Sequence, residues 1–228
     1  KTIEEAVQRI ILKPYMNEKN DGKGGHWWTG FDGVKLNNWN PWCNHGVAYV
    51  ALLMEKDQEK LNAILDKVTR SVDCYFTQLT DDGCCDEGLY WGQAIPRFIQ
   101  LLELLETASG GKCTIRPNVK LEAISTYPSR VFIGTDVDGK NWGINFGDSS
   151  TTSSDPYLNW GVSRYVGSRE METYTLYRLY DAKKGKYTVP YPKSDEGARQ
   201  FEFLYYYHEL CKEVDMLNSR LTMGTSAE

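Results

Sequence analysis

The sequence contains no apolar run long enough to cross a bilayer and no excess of basic residues. A membrane-spanning helix needs roughly 20 apolar residues in succession, and no segment approaches that length. Among 228 residues, 26 Lys and Arg stand against 31 Asp and Glu, which gives a net charge of −5. Proteins that bind nucleic acid usually carry clustered basic charge. We therefore expect neither a membrane nor a nucleic acid as a partner.

Common cofactor and catalytic signatures are also missing. The sequence has no Walker loop, dinucleotide fingerprint, HExxH motif or GxSxG motif. Its six cysteines are too sparse for a disulfide scaffold, and the lack of a CxxC pair argues against structural zinc. We predict no metal and no cofactor.

The ends of the sequence lack an initiator methionine and a signal-peptide pattern. The chain begins at Lys1 and ends at Glu228 without the charged, apolar and small-residue regions of a leader. We expect a processed chain or a fragment of a longer protein.

Aromatic residues are plentiful, with 15 Tyr, 7 Trp and 7 Phe. Trp and Tyr combine a flat apolar face with a polar edge, and a sugar ring needs both. A binding cleft for carbohydrate is one explanation of this composition, and a core built from Tyr and Trp is the other.

Helix signals alternate with loops along the chain, and βαβ units are absent. The predicted helices are 2–16, shortened by Pro14; one from Asn40-Pro41 with Asn40 as the N-cap; one capped by Asp57 and reaching Leu79; 89–106, ended by Gly110-Gly111; 118–127; one from Pro156; 170–179; and 195–217. The segments 130–137 and 142–146, separated by Asp138-Gly139, predict a β-hairpin, and the 180s predict a connector. We expect a mainly α fold of antiparallel helical hairpins with one small β-hairpin.

Three polar and aromatic segments are candidates for chemistry. They are 37–45 (NNWNPWCNH), 81–92 (DDGCCDEGLYWG) and 142–150 (WGINFGDSS). Helix N-termini with free N–H groups and amide side chains favour an anion such as a carboxylate. Helix caps and polar turns explain part of each segment equally well.

The runs at 37–42 and 82–91, together with 145–149, resemble the heparinase II/III-like family of polysaccharide lyases. The resemblance covers about residues 28–166. It implies an incomplete (α/α) toroid followed by a β-sandwich, so we expect residues 1–228 to be a single toroid domain of a longer chain whose β-sandwich is missing. It also implies a secreted or periplasmic protein.

The chemistry implied by the resemblance is β-elimination on a polysaccharide that contains uronic acid. An amide on a toroid helix neutralises the uronate carboxylate, and Asn38 matches it. A Tyr moves the proton, and Tyr90 matches it. The expected substrate-binding residues are Asn37, Trp39, Asn40, Trp42, His45, Glu87 and Trp91. Trp27 and Trp28 join the aromatic residues that we expect to stack on sugar rings. No cofactor is required, and the side chains of Asn38 and Tyr90 should converge on one cleft.

The sequence departs from the family at two positions. Many members have His directly after the matching Asn or the matching Tyr, where this chain has Trp39 and Trp91. A further family His has no match here, so we expect weak activity from this piece alone. Arg97 and Arg130 are the candidate cations for an acidic substrate.

Two other functions fit the same residues. A glycoside hydrolase would use a carboxylate pair drawn from Asp86, Glu87 and Asp148. A carbohydrate-binding fragment would keep the cleft without the chemistry.

Overall fold

The computed structural model describes residues 2–17, 26–147, 149, 156–190 and 200–225, with the backbone alone for 200–205 and 223–225. The chain forms two compact units. The first consists of Lys1–Cys84 and Gln93–Asn118, and the second of Cys85–Gly92 and Val119–Glu228. The described residues are mainly helical, which confirms the predicted fold class at that level. The single toroid domain over residues 1–228 stays a prediction.

The first unit contains the helices that precede residue 84 and most of a further long helix. These elements are α1 (Thr2–Val7), a π-helix (Gln8–Leu12), α2 (Lys13–Asn17), a 3-10 helix (Trp27–Thr29), α3 (Trp39–Met54) and α4 (Gln58–Gln78). Helix α5 (Trp91–Ala108) starts in the second unit and continues in the first. The helices α3 and α4 pack together across a short connection, which makes them one antiparallel hairpin.

Pro14 does not shorten the first helical segment, so that prediction is wrong. Helical backbone continues through Pro14 to Asn17. A π-turn precedes the proline, and the N–H of Lys13 donates to the carbonyl of Gln8. Proline normally clashes with the carbonyl four residues earlier. A π-turn widens the helix locally, and this relieves the clash.

The predicted start of α4 is confirmed in atomic detail. A carboxylate oxygen of Asp57 accepts hydrogen bonds from the N–H groups of Glu59 and Lys60, at 3.0 and 3.2 Å. These bonds stabilise the charged form, and the contact with Lys60 in particular lowers the pKa of Asp57 below its ordinary value. The buried side of α4 follows helical spacing and consists of Ile64, Lys67, Val68, Ser71, Val72 and Tyr75.

The second unit combines a 3-10 helix with short helices, two hairpins and three longer helices. In chain order, after the 3-10 helix Gly88–Tyr90, the elements are α6 (Val119–Ser125), α7 (Tyr127–Arg130), β1 (Phe132–Thr135), β2 (Asn141–Gly143), α8 (Pro156–Val166), α9 (Arg169–Leu179), β3 (Tyr180–Asp181), β4 (Lys186–Tyr187) and α10 (Gln200–Thr225). The predicted helix 118–127 is therefore two helices, because Pro128 starts a new turn.

The predicted hairpin is present with shorter strands than expected. Phe132 pairs with Gly143 and Thr135 pairs with Asn141 in an antiparallel register. Asp136 ends the pairing, because its carboxylate accepts hydrogen bonds from the N–H groups of Asp138 and Lys140 and thereby closes the turn.

A second hairpin occupies the segment that the sequence predicted as a connector. β3 and β4 pair antiparallel over two residues each. Strands this short carry no alternating pattern. The side chain of Asn218 holds β4 in place, since its amide donates to the carbonyl of Tyr187 and accepts from the N–H of Tyr187. Helix α10 runs past the predicted end at residue 217, to Thr225, and the predicted start at Asp195 lies outside the described residues.

Buried residues of α8, α9 and α10 form a core cluster in the second unit. Its members are Tyr157, Leu158, Trp160, Leu179, Tyr206, Leu210 and Val214. Gly161 of α8 allows α10 to approach closely, because a Cβ at this position would lie 2.6 Å from the ring of Tyr206. In the part of the chain that the structure describes, no helix is long and apolar enough to span a membrane.

Two helical glycines should respond to alanine in opposite directions. In Gly161→Ala, the clash with Tyr206 should lower the free energy of unfolding by about 1–3 kcal/mol. In Gly46→Ala, a Cβ would meet no heavy atom within 4 Å, so the gain in helix propensity should raise it by about 0.5–1 kcal/mol. Urea denaturation of the two variants checks both signs. An equal effect at the two sites would contradict the packing at Gly161.

Candidate functional site

Helix α3 divides the first candidate segment between the core and the surface. Its buried residues are Asn40, Pro41, Asn44, Val47, Ala48 and Ala51. The opposite side, called the outer face here, consists of Asn38, Trp39, Trp42, His45, Gly46, Tyr49 and Leu53. At 3.6 residues per turn, these positions fall within an arc of about 120°. The structure therefore brings Asn38, Trp39, Trp42 and His45 onto one surface and turns Asn40 away from it.

Asn40 is not the N-cap of α3, so that prediction is wrong. The helix begins at Trp39, and Asn38 is the capping position without a side-chain cap bond. The side chain of Asn37 supports the first turn instead, because its carbonyl oxygen accepts from the N–H of Trp39 at 3.1 Å. Asn40 is fully buried, and its amide donates to the carbonyl of Trp28 at 2.7 Å.

Buried hydrogen bonds centred on Ser71 fix the orientation of α3. The amides of Asn40 and Asn44 both donate to the Ser71 hydroxyl, at 3.2 and 2.8 Å, and this hydroxyl donates to the carbonyl of Thr29. The phenol of Tyr15 donates to the side-chain oxygen of Asn44 at 3.0 Å. Within the described residues, the side-chain oxygen of Asn40 is buried without a hydrogen-bond partner. Because the two amides, the Ser71 hydroxyl and the Tyr15 phenol are hydrogen-bonded in the interior, a rotation of α3 would break several of these bonds at once.

The outer face is aromatic and uncharged along the helix itself. Trp39 is 55% exposed and Tyr49 is 42% exposed, while Asn38, Trp42 and His45 are half-buried. The ring of His45 lies 6.1 Å from the ring of Tyr49. No Asp, Glu, Lys or Arg occurs between Trp39 and Met54.

A cation of α5 packs against Trp42. The guanidinium carbon of Arg97 lies 4.4 Å from the ring centre of Trp42. Its Nη1 donates to the side-chain oxygen of Gln100 at 2.7 Å, and Arg97 is only 5% exposed. Arg130, the other candidate cation, donates to the carbonyl of Ala123 and lies 5.9 Å from the ring centre of Tyr127. The sequence alone gave no reason to prefer Arg97.

Two further tryptophans of the first unit differ in exposure. Trp27 is 43% exposed. Trp28 is half-buried and stacks on Tyr15, with ring centres 5.8 Å apart and planes inclined by 12°. Cys43 is no candidate nucleophile, because burial raises the pKa of its thiol to about 11 and keeps the thiol protonated at neutral pH.

The second candidate segment forms the 3-10 helix Gly88–Tyr90 and the start of α5. Glu87 and Tyr90 are half-buried, and Asp86 is exposed. Trp91 is only 1% exposed, and its indole N–H donates to the carbonyl of Ile124 at 2.8 Å. Trp91 is therefore part of the core, whereas the side chains of Glu87 and Tyr90 reach the surface.

The third candidate segment packs directly against the second. A Cβ at Gly88 would lie 2.9 Å from the hydroxyl of Ser149 and 3.1 Å from the carbonyl of Phe146. Gly88 has a φ of +61°, in the left-handed region. The Ser149 hydroxyl closes the opposing turn by donating to the carbonyl of Phe146 at 2.8 Å. In the sequence, the glycines of the two segments are the signal of this close approach. Asp148 lies outside the described residues.

Asn38 belongs to the first unit and Tyr90 to the second. Their convergence on one cleft stays a prediction. Within the described ranges, no group of three or more His, Cys, Asp or Glu side chains is placed to hold a metal ion.

The sequence matches no model of a known protein family, and no curated protein matches it.

The Ser71 hydroxyl should contribute measurably to stability. Ser71→Ala removes the acceptor of two buried amides, and an unsatisfied buried polar group costs about 1–3 kcal/mol. Urea denaturation should show this loss in the free energy of unfolding. Thr69→Ala is the matched control, because the exposed Thr69 hydroxyl donates to the carbonyls of Leu65 and Asp66 in its own helix. Equal losses for the two variants would contradict the role of Ser71.

The close contact of Gly88 with Ser149 and the positive φ of Gly88 should have separate, measurable effects on stability. Gly88→Ala adds both a positive-φ penalty and a contact with Ser149, whereas Gly139→Ala adds the penalty alone, because no heavy atom lies within 4 Å of a Cβ at Gly139. Gly88→Ala should therefore lower the free energy of unfolding by about 1–3 kcal/mol more than Gly139→Ala. Thermal and urea denaturation measure the difference, and equal effects would rule out the packed contact.

Proposed function

We propose that this chain is the helical part of a polysaccharide lyase that cleaves uronate-containing polysaccharide by β-elimination on an (α/α) toroid. The observation that carries the proposal is the outer face of α3, where Asn38 occurs together with exposed aromatic rings, and where the guanidinium of Arg97 packs against the ring of Trp42. The motif resemblance supports the assignment of the reaction.

The outer face offers the groups that an acidic sugar requires. An indole presents a flat apolar surface to a sugar ring, and Trp39 is exposed for this contact. The amide of Asn38 can donate a hydrogen bond to a carboxylate. Arg97 adds positive charge next to Trp42, one helical turn from Asn38. The chain as a whole carries a net charge of −5, so Arg97 is the positive group that the proposal assigns to an acidic substrate.

In the reaction, a base removes the proton from C5 of the uronate and the C4–O bond breaks. The electron pair of the C5–H bond becomes the C4–C5 double bond, and the departing sugar oxygen takes up a proton. Negative charge spreads into the carboxylate as the C5–H bond breaks. We assign Asn38 to stabilise this charge. We assign Tyr90 to carry the proton, because it occupies the position that the resemblance gives to the proton-transferring Tyr.

The other predicted residues divide by their accessibility. Trp39, Trp42, His45 and Glu87 are accessible side chains, and we assign them to substrate binding together with Asn37. Asn40 and Trp91 act through the fold, because both are buried and both donate hydrogen bonds to backbone carbonyls.

Removal of a single oxygen or amide should test the assignments. In the natural full-length protein, Tyr90→Phe should reduce product formation on heparan, chondroitin or alginate by about 10²–10⁴-fold, since a positioned acid or base contributes that much. Asn38→Ala should reduce it by about 10²–10³-fold. Ultraviolet absorbance of the unsaturated product measures both rates.

The same ultraviolet assay provides the controls and the results that would contradict the proposal. Tyr177→Phe and Asn62→Ala alter exposed residues outside the candidate segments and should leave the rate unchanged. Full activity of Tyr90→Phe would contradict the proposal. New reducing ends without ultraviolet absorbance would instead indicate hydrolysis and point to a carboxylate pair that includes Asp86 or Glu87.

A further inference from the structure

We propose that Gly143 and Ser149 are positioning residues, which hold Tyr90 in place for the proton transfer of the proposed reaction. Both belong to the third candidate segment, and both pack on the 3-10 helix Gly88–Tyr90. The inference rests on the proposed function, since it assigns to that reaction two residues that act through Tyr90 and need no contact with the substrate.

Ser149 packs on the first residue of this 3-10 helix. A Cβ at Gly88 would lie 2.9 Å from the Ser149 hydroxyl oxygen, which leaves room for glycine alone. The hydroxyl is itself held in place, because it donates to the carbonyl of Phe146 at 2.8 Å and lies 3.1 Å from the side-chain oxygen of Asn145. Ser149 is only 9% exposed. One buried hydroxyl therefore closes the turn and places it against Gly88.

Gly143 packs on the second residue of the same 3-10 helix. A Cβ at Gly143 would lie 2.5 Å from Cδ1 of Leu89 and 3.2 Å from the carbonyl of Val131. The φ of Gly143 is not positive, so the backbone conformation does not require glycine at this position. The close approach of Leu89 does require it. Leu89 is only 6% exposed, and its side chain has little space into which an added methyl could push it.

Trp91 fixes the chain on the other side of Tyr90. Its indole N–H donates to the carbonyl of Ile124 at 2.8 Å, and Trp91 is 1% exposed. Tyr90 therefore lies between two anchored neighbours, Leu89 and Trp91, while its own side chain is half-buried. All of these residues belong to the second unit. A catalytic group works only near one geometry, and a misplacement of about 1 Å can lower a rate by about 10²-fold.

Ser149→Ala tests the hydroxyl that closes the turn. In the natural full-length protein, the loss of this hydroxyl should lower kcat by about 10-fold through misplacement of Tyr90. It should leave KM within about 2-fold, because the residues assigned to substrate binding are unchanged. Ser219→Ala is the matched control, since the hydroxyl of Ser219 is exposed and donates to the carbonyl of Asp215 in its own helix. It should leave kcat and KM unchanged.

Gly143→Ala tests the contact with Leu89, and a second substitution should repair it. The added methyl should push Leu89 aside and lower kcat by about 10-fold or more. Leu89→Val shortens the side chain that would clash, so the double variant Gly143→Ala/Leu89→Val conserves the total volume. Its kcat should return to within about 3-fold of the wild-type value. All rates are measured well below the unfolding midpoint of each variant, so that loss of folded protein does not contribute.

Fluorine NMR detects the environment of Tyr90 without turnover. In protein that contains 3-fluorotyrosine, the resonance that Tyr90→Phe removes is the resonance of Tyr90. Ser149→Ala and Gly143→Ala should shift or broaden this resonance, the double variant should restore it, and Ser219→Ala should leave it unchanged. A purely structural role of the two residues would lower the unfolding midpoint without this change.

The outcomes separate the positioning role from the proposed function. Suppose that the wild type forms unsaturated product and that Tyr90→Phe abolishes it. An unchanged kcat and an unchanged Tyr90 resonance in Ser149→Ala and Gly143→Ala would then overturn the positioning role alone. No unsaturated product from the wild type would overturn both proposals. A lower kcat at constant KM, with a shifted Tyr90 resonance and recovery in the double variant, would support both.

Discussion

The hydroxyl of Ser71 is the constraint on which the first unit depends. It accepts hydrogen bonds from two asparagine amides of α3 and donates to the carbonyl of Thr29. Polar groups in the interior are costly unless they are paired, and a paired set admits few alternative arrangements. The rotation of α3 about its own axis is consequently fixed by hydrogen bonds as much as by apolar packing. This rotation determines that Trp39, Trp42 and His45 face outward with Asn38.

The hydrogen bonds of Ser71 also explain why α3, which has no charged residue, keeps one side exposed. A helix that is apolar on all sides is ordinarily buried on all sides, and α3 has no charged residue among its 16. In α3 the asparagines occupy positions that an apolar side chain would normally take, while indole and phenol rings occupy the surface. The usual assignment of polar residues outside and aromatic residues inside is thereby partly reversed, and the reversal is what makes this surface a candidate for sugar binding.

The sequence predicted the helical segments well where local chemistry decides the structure. Asp57 caps α4 as its position before an apolar helical stripe indicated, and Asp138-Gly139 marks the turn of the first hairpin. Prediction failed where distant residues decide. Asn40 resembles an N-cap in sequence, but Ser71, far along the chain, takes its amide. Pro14 resembles a helix terminator, but a π-turn accommodates it. The contact of Gly88 with the Ser149 turn depends on segments about 60 residues apart, which no local pattern records.

The division of the chain between the two units determines when each unit has all of its residues during synthesis. Neither unit is a continuous stretch, because residues 85–92 belong with the part of the chain that follows residue 118. During synthesis the first unit has all of its residues only once Asn118 has emerged. The segment around Gly88 must then wait for the turn at Phe146 before its closest contact exists. A single genetic crossover between residues 84 and 119 would leave both units incomplete. No single cut in the chain therefore separates the two units, even though each has its own set of internal contacts.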